Sequence, residues 1–136
     1  MITIRIKSNN KRGFSMPCVN SYIINKNLIV RLIQYPPGYE GNPYTDIRAC
    51  MPDDIAGFDR VILDFENVNY VDSKAIGAFI MFFREMRDKG KRFLFINVNE
   101  NLEHIFHIIH LHRHFDICTK EQTKEFLKII RDRVVV

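Results

Sequence analysis

The chain has 136 residues, enough for one domain with a real core. Its 46% hydrophobic and 26% charged content is that of an ordinary globular protein and excludes a disordered or fibrous chain. A net charge of +4, with Lys and Arg spread along the sequence, lacks the dense basic footprint of a dedicated nucleic-acid binder, and no apolar run approaches the roughly 20 residues that span a bilayer.

Ile2, Ile4 and Ile6 alternate with Thr3, Arg5 and Lys7, which is strand spacing. The same stretch has no apolar core of the signal-peptide kind. Ser8 to Gly13 reads as a polar, basic turn. Val19 to Ile24 and Leu28 to Tyr35 read as two strands joined through Asn25, Lys26 and Asn27, an antiparallel hairpin. Pro36, Pro37, Gly38, Gly41 and Pro43 then interrupt regular structure. Tyr35, Tyr39 and Tyr44 either pack this loop onto the sheet or line a partner surface. Thr45 to Met51 reads as a short helix, capped by Thr45 or Asp46 and ended by Pro52. Val61 to Phe65 is a short apolar run of the buried-strand kind.

From there strand and helix patterns alternate. A helix is predicted over 73–88, a strand over 93–98, a helix over 101–109 opened by Asn99 or Asn101, a strand over 115–118 and a helix over 120–132. Gly90 marks the end of the first of these helices. Thr119 with Gln122 three residues on has the spacing of a capping box. Such alternation argues for helices over a largely parallel sheet. The expected fold class is therefore α/β: a mixed sheet, antiparallel in its N-terminal hairpin and parallel in its C-terminal strands, covered by about four helices.

The stretch Val61 to Met86 carries the most information. Asp72 and Ser73 stand where a long apolar-periodic segment begins, and both are preferred at helix N-caps because their side-chain oxygens accept bonds from free backbone N–H groups. At about 100° per residue, Ala75, Ile76, Phe79, Ile80, Phe82, Phe83 and Met86 share one broad side that must be buried. Lys74, Ala78, Met81, Glu85 and Asp88 fall on the other. A serine hydroxyl at such a helix start is an addressable group.

The hexapeptide Asp72, Ser73, Lys74, Ala75, Ile76, Gly77 resembles the D-S-(S/T)-G-(L/I)-G motif of STAS domains, the family of bacterial anti-sigma-factor antagonists. Asp72, Ser73, Ile76 and Gly77 match. Lys74 replaces the usual second hydroxyl residue and Ala75 replaces a common glycine. The order of elements extends the resemblance over about residues 20–130, within a single STAS-like domain spanning 1–136. Two departures stand out: the long segment YPPGYEGNPYTD replaces a short G-(E/D)-L-D-type turn, and the first helix is shorter than usual. The resemblance implies a non-enzymatic, cytoplasmic protein-binding module with no catalytic residues and no cofactor. Its partner would be an anti-sigma factor or serine kinase-type regulator, and phosphorylation of Ser73 would be the switch. The implied partner face comprises Asp72, Ser73, Lys74, Ala78, Met81 and Glu85. Neither nucleic acid nor membrane insertion is implied, and a homodimer is compatible.

Two further readings stay open. One is a scaffold or transporter accessory subunit of the same fold without phosphorylation, which Lys74 and the altered 36–58 region favour. The other is a small enzyme or metal-binding protein. Asp64, Glu66 and Asp72 could do acid–base or metal chemistry, but such residues near a strand end more often serve as solvated loop charges. His104, His107, His110, His112 and His114 lie close to Cys118, yet without the H-E-x-x-H or Cys–His finger spacing of a zinc site. No bound metal is expected, although the cluster could make this edge pH-sensitive. No P-loop, dinucleotide-binding or G-x-S-x-G motif is present. Cys18, Cys50 and Cys118 are odd in number and far apart, so reduced thiols are expected.

Overall fold

A computed structural model describes residues 2–5, 18–34 and 38–132, with side chains at 21–34 and 38–131. The expected Ser8–Gly13 turn, Ile6 and Tyr35 lie outside the described residues. Six strands form one sheet in sequential order: β1 (Ile2–Arg5), β2 (Cys18–Ile24), β3 (Asn27–Ile33), β4 (Arg60–Asn67), β5 (Arg92–Val98) and β6 (Asp116–Thr119). The pairs β1–β2 and β2–β3 are antiparallel; β3–β4, β4–β5 and β5–β6 are parallel. Asn25, at φ 56°, turns the β2–β3 hairpin in the left-handed conformation that asparagine tolerates. Parallel neighbours require crossovers, and helices supply them: α1 (Pro43–Arg48) between β3 and β4, α2 (Ser73–Asp88) between β4 and β5, and α3 (Glu100–Ile108) between β5 and β6. A 3₁₀ turn at Leu111–Arg113 leads into β6, and α4 (Lys120–Asp132) follows it. The mixed sheet and four helices agree with the pattern read from the sequence.

Register fixes which residues meet. Val30 pairs with Leu63, Leu63 with Phe95 and Phe95 with Ile117, a row across four strands. On this face α1, α2 and α3 bury the larger core, in which Phe65, Phe79, Phe95 and Phe106 interlock with ring centroids 4.5–5.8 Å apart. The opposite face is covered by α4, whose Ile130 packs with Ile24, Ile29, Ile62, Leu94 and Ile96. Strand residues therefore alternate between two apolar environments, which is why β4 reads as an unbroken apolar run.

Three expectations need correction. The first helix starts at Pro43 rather than Thr45, with Asn42 as its cap: Asn42 Oδ1 accepts from Thr45 N at 3.3 Å. Proline at the first helical position lacks only an N–H that would have no partner there. The helix ends at Arg48, and i→i+3 bonds carry the chain on through Cys50 and Met51. Second, Cys50 is fully buried and disulfide-bonded, and its partner lies outside the described side chains; Cys118 is a free thiol. Linear spacing cannot show which distant segments the fold brings within bridging distance. Third, Ala78 is only 3% exposed, because α1 lies across α2; the side of α2 assigned to solvent is in part an interhelical contact.

Candidate functional site

Ser73 is the first residue of α2, exposed, and preceded by a loop held from three directions. Gln34, at the end of β3, accepts from Asn69 N and Tyr70 N at 2.9 Å each and donates to Tyr70 O at 3.0 Å. Asn99 donates through Nδ2 to Val68 O at 3.3 Å while its Oδ1 caps α3, accepting from Leu102 N at 2.8 Å. Asp64 Oδ1 accepts from Glu66 N at 3.0 Å and from Asn97 Nδ2 at 2.9 Å. The loop's polar backbone groups thus have side-chain partners from β3, β4 and the β5–α3 corner. Asp72 ends the loop in extended conformation, and its Oδ1 accepts from Ala75 N at 2.9 Å. That bond satisfies one free donor of the first turn, so the cap is supplied by Asp72 and not by the exposed Ser73.

A groove of about 380 Å³ opens beside Ser73. Its far wall is Gly41 to Tyr44, the segment entering α1; its near wall is the outer side of α2, from Ser73 and Lys74 through Gly77 and Ala78 to Met81. The walls are held together by Tyr44. Its ring stacks on Phe82 at 4.5 Å, and its hydroxyl donates to Glu85 Oε1 at 2.6 Å. Glu85 Oε2 takes Lys89 Nζ at 3.0 Å and lies 3.6 Å from Arg48 Nε. Burial pushes the Glu85 carboxyl up, but the hydrogen bonds from Tyr44 and Lys89 and the two cations outweigh it, so its pKa lies below the ordinary carboxylate value. The Tyr44 phenol is raised by burial and by its bond to that carboxylate. On the far wall's own side, Tyr39 donates to Asp46.

Of the residues assigned to a partner face, Ser73, Lys74 and Met81 stand on the groove and are exposed, Met81 by 51%. Ala78 forms groove floor rather than free surface. Glu85 is committed to Tyr44, Arg48 and Lys89 and works as the clasp between α1 and α2. Asp72 is committed to capping. Of the far wall only Tyr44 carries a sequence reading, as loop packing or partner surface; residues 41–43 were not legible as part of the site, although the Asn42–Pro43 pair was a local signal for a helix start. Gln34 carried no such signal, because its partners lie 35 and 36 residues away. Of the three tyrosines around the loop, Tyr39 and Tyr44 pack it against α1 and α2.

The other candidate clusters are placed differently. Asp64 is 1% exposed, not a solvated loop charge; Arg31 Nε lies 3.5 Å from its Oδ2, and Glu66 stays at the surface 3.8 Å from the same guanidinium. His107 and His112 stack at 4.0 Å and 12°, His110 lies 6.1 Å from His112, and His114 packs on Phe83. Among the described residues no three His, Cys, Asp or Glu side chains converge as a metal site. No described helix is long and apolar enough to cross a membrane.

Known structures share this architecture. A protein of Thermotoga maritima assigned as a candidate anti-sigma factor antagonist superposes with a TM-score of 0.63 at 16% identity, over 82% of this chain and 92% of its own. The anti-sigma factor antagonist SpoIIAA in its unphosphorylated form gives 0.53 at 17% identity, over 80% and 93%. The murine anion transporter Solute Carrier 26 family member A9, in its inward-facing state, gives 0.58 at 14% identity; the match spans 94% of this chain but 22% of the transporter. At such identities the likeness is one of fold. The family model of the STAS domain matches residues 17–124, most of the chain and the whole of the groove, the clasp and the Ser73 loop. The chain belongs to the STAS-domain family.

Proposed function

We propose that the protein is a regulatory protein-binding module of the anti-sigma factor antagonist type. Its partner, an anti-sigma factor or serine kinase-type regulator, would dock on the groove between α1 and α2, and phosphorylation of Ser73 would release it. The observation that carries this reading is the exposed Ser73 hydroxyl on the lip of the groove, at the N-terminus of a 16-residue helix. An added phosphate there meets free N–H groups, the positive end of the helix dipole and the adjacent Lys74. The fold tolerates it, whereas a contact formed around a neutral hydroxyl would have to bury its charge. The reading implies a cytoplasmic protein acting without nucleic acid, cofactor or catalytic chemistry of its own.

Incubation with ATP and a GHKL-type kinase from the same genome, followed by intact mass and peptide mapping, tests it. One phosphate on Ser73 is expected, with none on Ser73→Ala. Ser73→Asp should keep the parent melting temperature and lose the partner. Full binding by Ser73→Asp, with no labelling of Ser73, would sink the switch. A second reading is then preferred: an unphosphorylated scaffold or transporter accessory domain. Lys74 and Ala75 at motif positions that usually hold a hydroxyl residue and glycine favour it, as does the fold likeness to part of an anion transporter.

A further inference from the structure

The outer side of α2 carries a line of four residues at spacings of three, four and three: Lys74, Gly77, Met81 and Arg84. Such spacing keeps them on one helical face. Lys74 and Arg84 are both exposed, and neither has an ion pair or hydrogen bond among the described residues. Their neighbours are engaged: Arg87 pairs with Asp88 at 3.5 Å, Lys89 and Arg48 with Glu85. The two free cations stand about 15 Å apart along the helix axis, at 1.5 Å per residue. Between them lies the groove, with Met81 and Tyr44 at its sides. Its carboxylates are largely spent: Asp72 caps α2, Asp46 is bonded to Tyr39, and Glu85 is the clasp. Glu40, beside Gly41 on the far wall, is the exposed exception.

Gly77 is the opening in this line. A Cβ built there meets no atom within 4 Å, and its φ is an ordinary one. Neither sterics nor backbone geometry requires glycine at Gly77, yet its lack of a side chain leaves room in the groove.

We propose that this face docks an acidic, apolar-centred segment of the partner: one leucine or aromatic side chain enters the groove over Gly77, and flanking carboxylates reach Lys74 and Arg84. The proposal rests on the partner-face reading above and adds the partner's chemistry. It also supplies the switch with a mechanism. A phosphate on Ser73 occupies the Lys74 ammonium and repels the carboxylate that would otherwise meet it.

The test is an amide-shift NMR titration of the isotope-labelled full chain with three capped peptides: Ac-Glu-Leu-Phe-Glu-NH2, Ac-Lys-Leu-Phe-Lys-NH2 and Ac-Glu-Ser-Ser-Glu-NH2. Saturable shifts confined to residues 41–44 and 74–84 are expected with the first peptide alone, weakening as salt is raised. Lys74→Glu combined with Arg84→Glu should weaken binding by about ten-fold, the sum of two exposed charge pairs reversed. Gly77→Leu should abolish it while the melting temperature holds or rises. Equal response to the acidic and basic peptides, no response to any, or full binding by Gly77→Leu overturns the proposal. So does a sedimentation result in which the chain dimerises through these residues, since a second copy would then be the occupant. The titration uses neither kinase nor phosphate. Its failure leaves Ser73 labelling standing, and an unlabelled Ser73 with an intact peptide response removes the switch while keeping the docking face.

Discussion

Two glycines, one within α2 and one just beyond its end, show how local geometry decides what a residue is for. Gly90 sits just past the helix at φ +69°, where Lys91 N reaches back to Met86 O at 2.7 Å. That is the left-handed C-terminal stop that side chains resist, so Gly90→Ala should destabilise by about 1 kcal/mol. Gly77 has neither constraint, and Gly77→Ala should stabilise by about 0.5–1 kcal/mol as helix propensity improves. Urea denaturation of both variants checks the opposite signs. Asp64 makes a harsher case. Removing its carboxylate takes the acceptor from Asn97 Nδ2 and Glu66 N and leaves the partly exposed Arg31 guanidinium with the surface carboxylate of Glu66, 3.8 Å away. Asp64→Ala should cost about 3–5 kcal/mol, and Asp64→Asn, which keeps an acceptor oxygen, clearly less. Similar losses for the two would mean that the charge, not the hydrogen bonding, is what the site needs. Asn97 itself holds φ 56° within β5, where the register shifts between Phe95 and Val98; its N–H goes to Thr123 Oγ1 at 2.7 Å, tying the irregularity to α4.

Among the elements, α1 is the least self-sufficient. Six residues are too few to hold a helix in isolation, so its position depends on Asn42, Pro43 and the Tyr44–Glu85 clasp. Tyr44→Phe removes a bond to a carboxylate and should cost about 1.5 kcal/mol at neutral pH. The pH dependence follows from the direction of the Glu85 shift. Its folded pKa is below the unfolded one, so its contribution is complete above the unfolded value and is lost as pH falls through the folded one. The stability gap between the parent and Tyr44→Phe should therefore narrow in acid, below the ordinary carboxylate range. A gap independent of pH would show that Glu85 is not the partner that matters. The same clasp forms one end of the groove, so hydrogen exchange in α1 should quicken in Tyr44→Phe more than in α3, which has its own cap at Asn99.

At the scale of the molecule, the sheet separates two cores of unequal weight. Three helices and most of the phenylalanines lie on one side, and α4 alone covers the other. Phe95 is the centre of the larger one, in ring contact with Phe65, Phe79, Phe93, Phe106 and Phe115. Phe95→Ala should cost about 3–5 kcal/mol, read by urea denaturation. A loss below 2 kcal/mol would mean that α2 and α3 close over the gap more readily than dense packing allows.

What the sequence determined by itself was everything carried by short-range pattern. Alternation at Ile2–Arg5, the apolar run in β4, the heptad-like side of α2, Asp72 before Ser73 and the Thr119–Gln122 box all depend on residues a few positions apart; the box appears as reciprocal bonds of 3.0 and 3.2 Å. These local preferences agree with the final fold, which is why the mixed sheet and its four helices could be read directly. The tertiary structure alone decided which surfaces remain surfaces. Ala78 and Glu85 have the helical phase of exposed positions, but α1 arrives from more than thirty residues upstream and covers them. Cys50 finds a disulfide partner that no spacing rule indicates, and Gln34 reaches across to residues 69–70 to hold the loop before Ser73. The physical reason is the same in each case: burial, bridging and long-range hydrogen bonds are properties of distance in space, and helical phase specifies direction on one element without saying what packs against it.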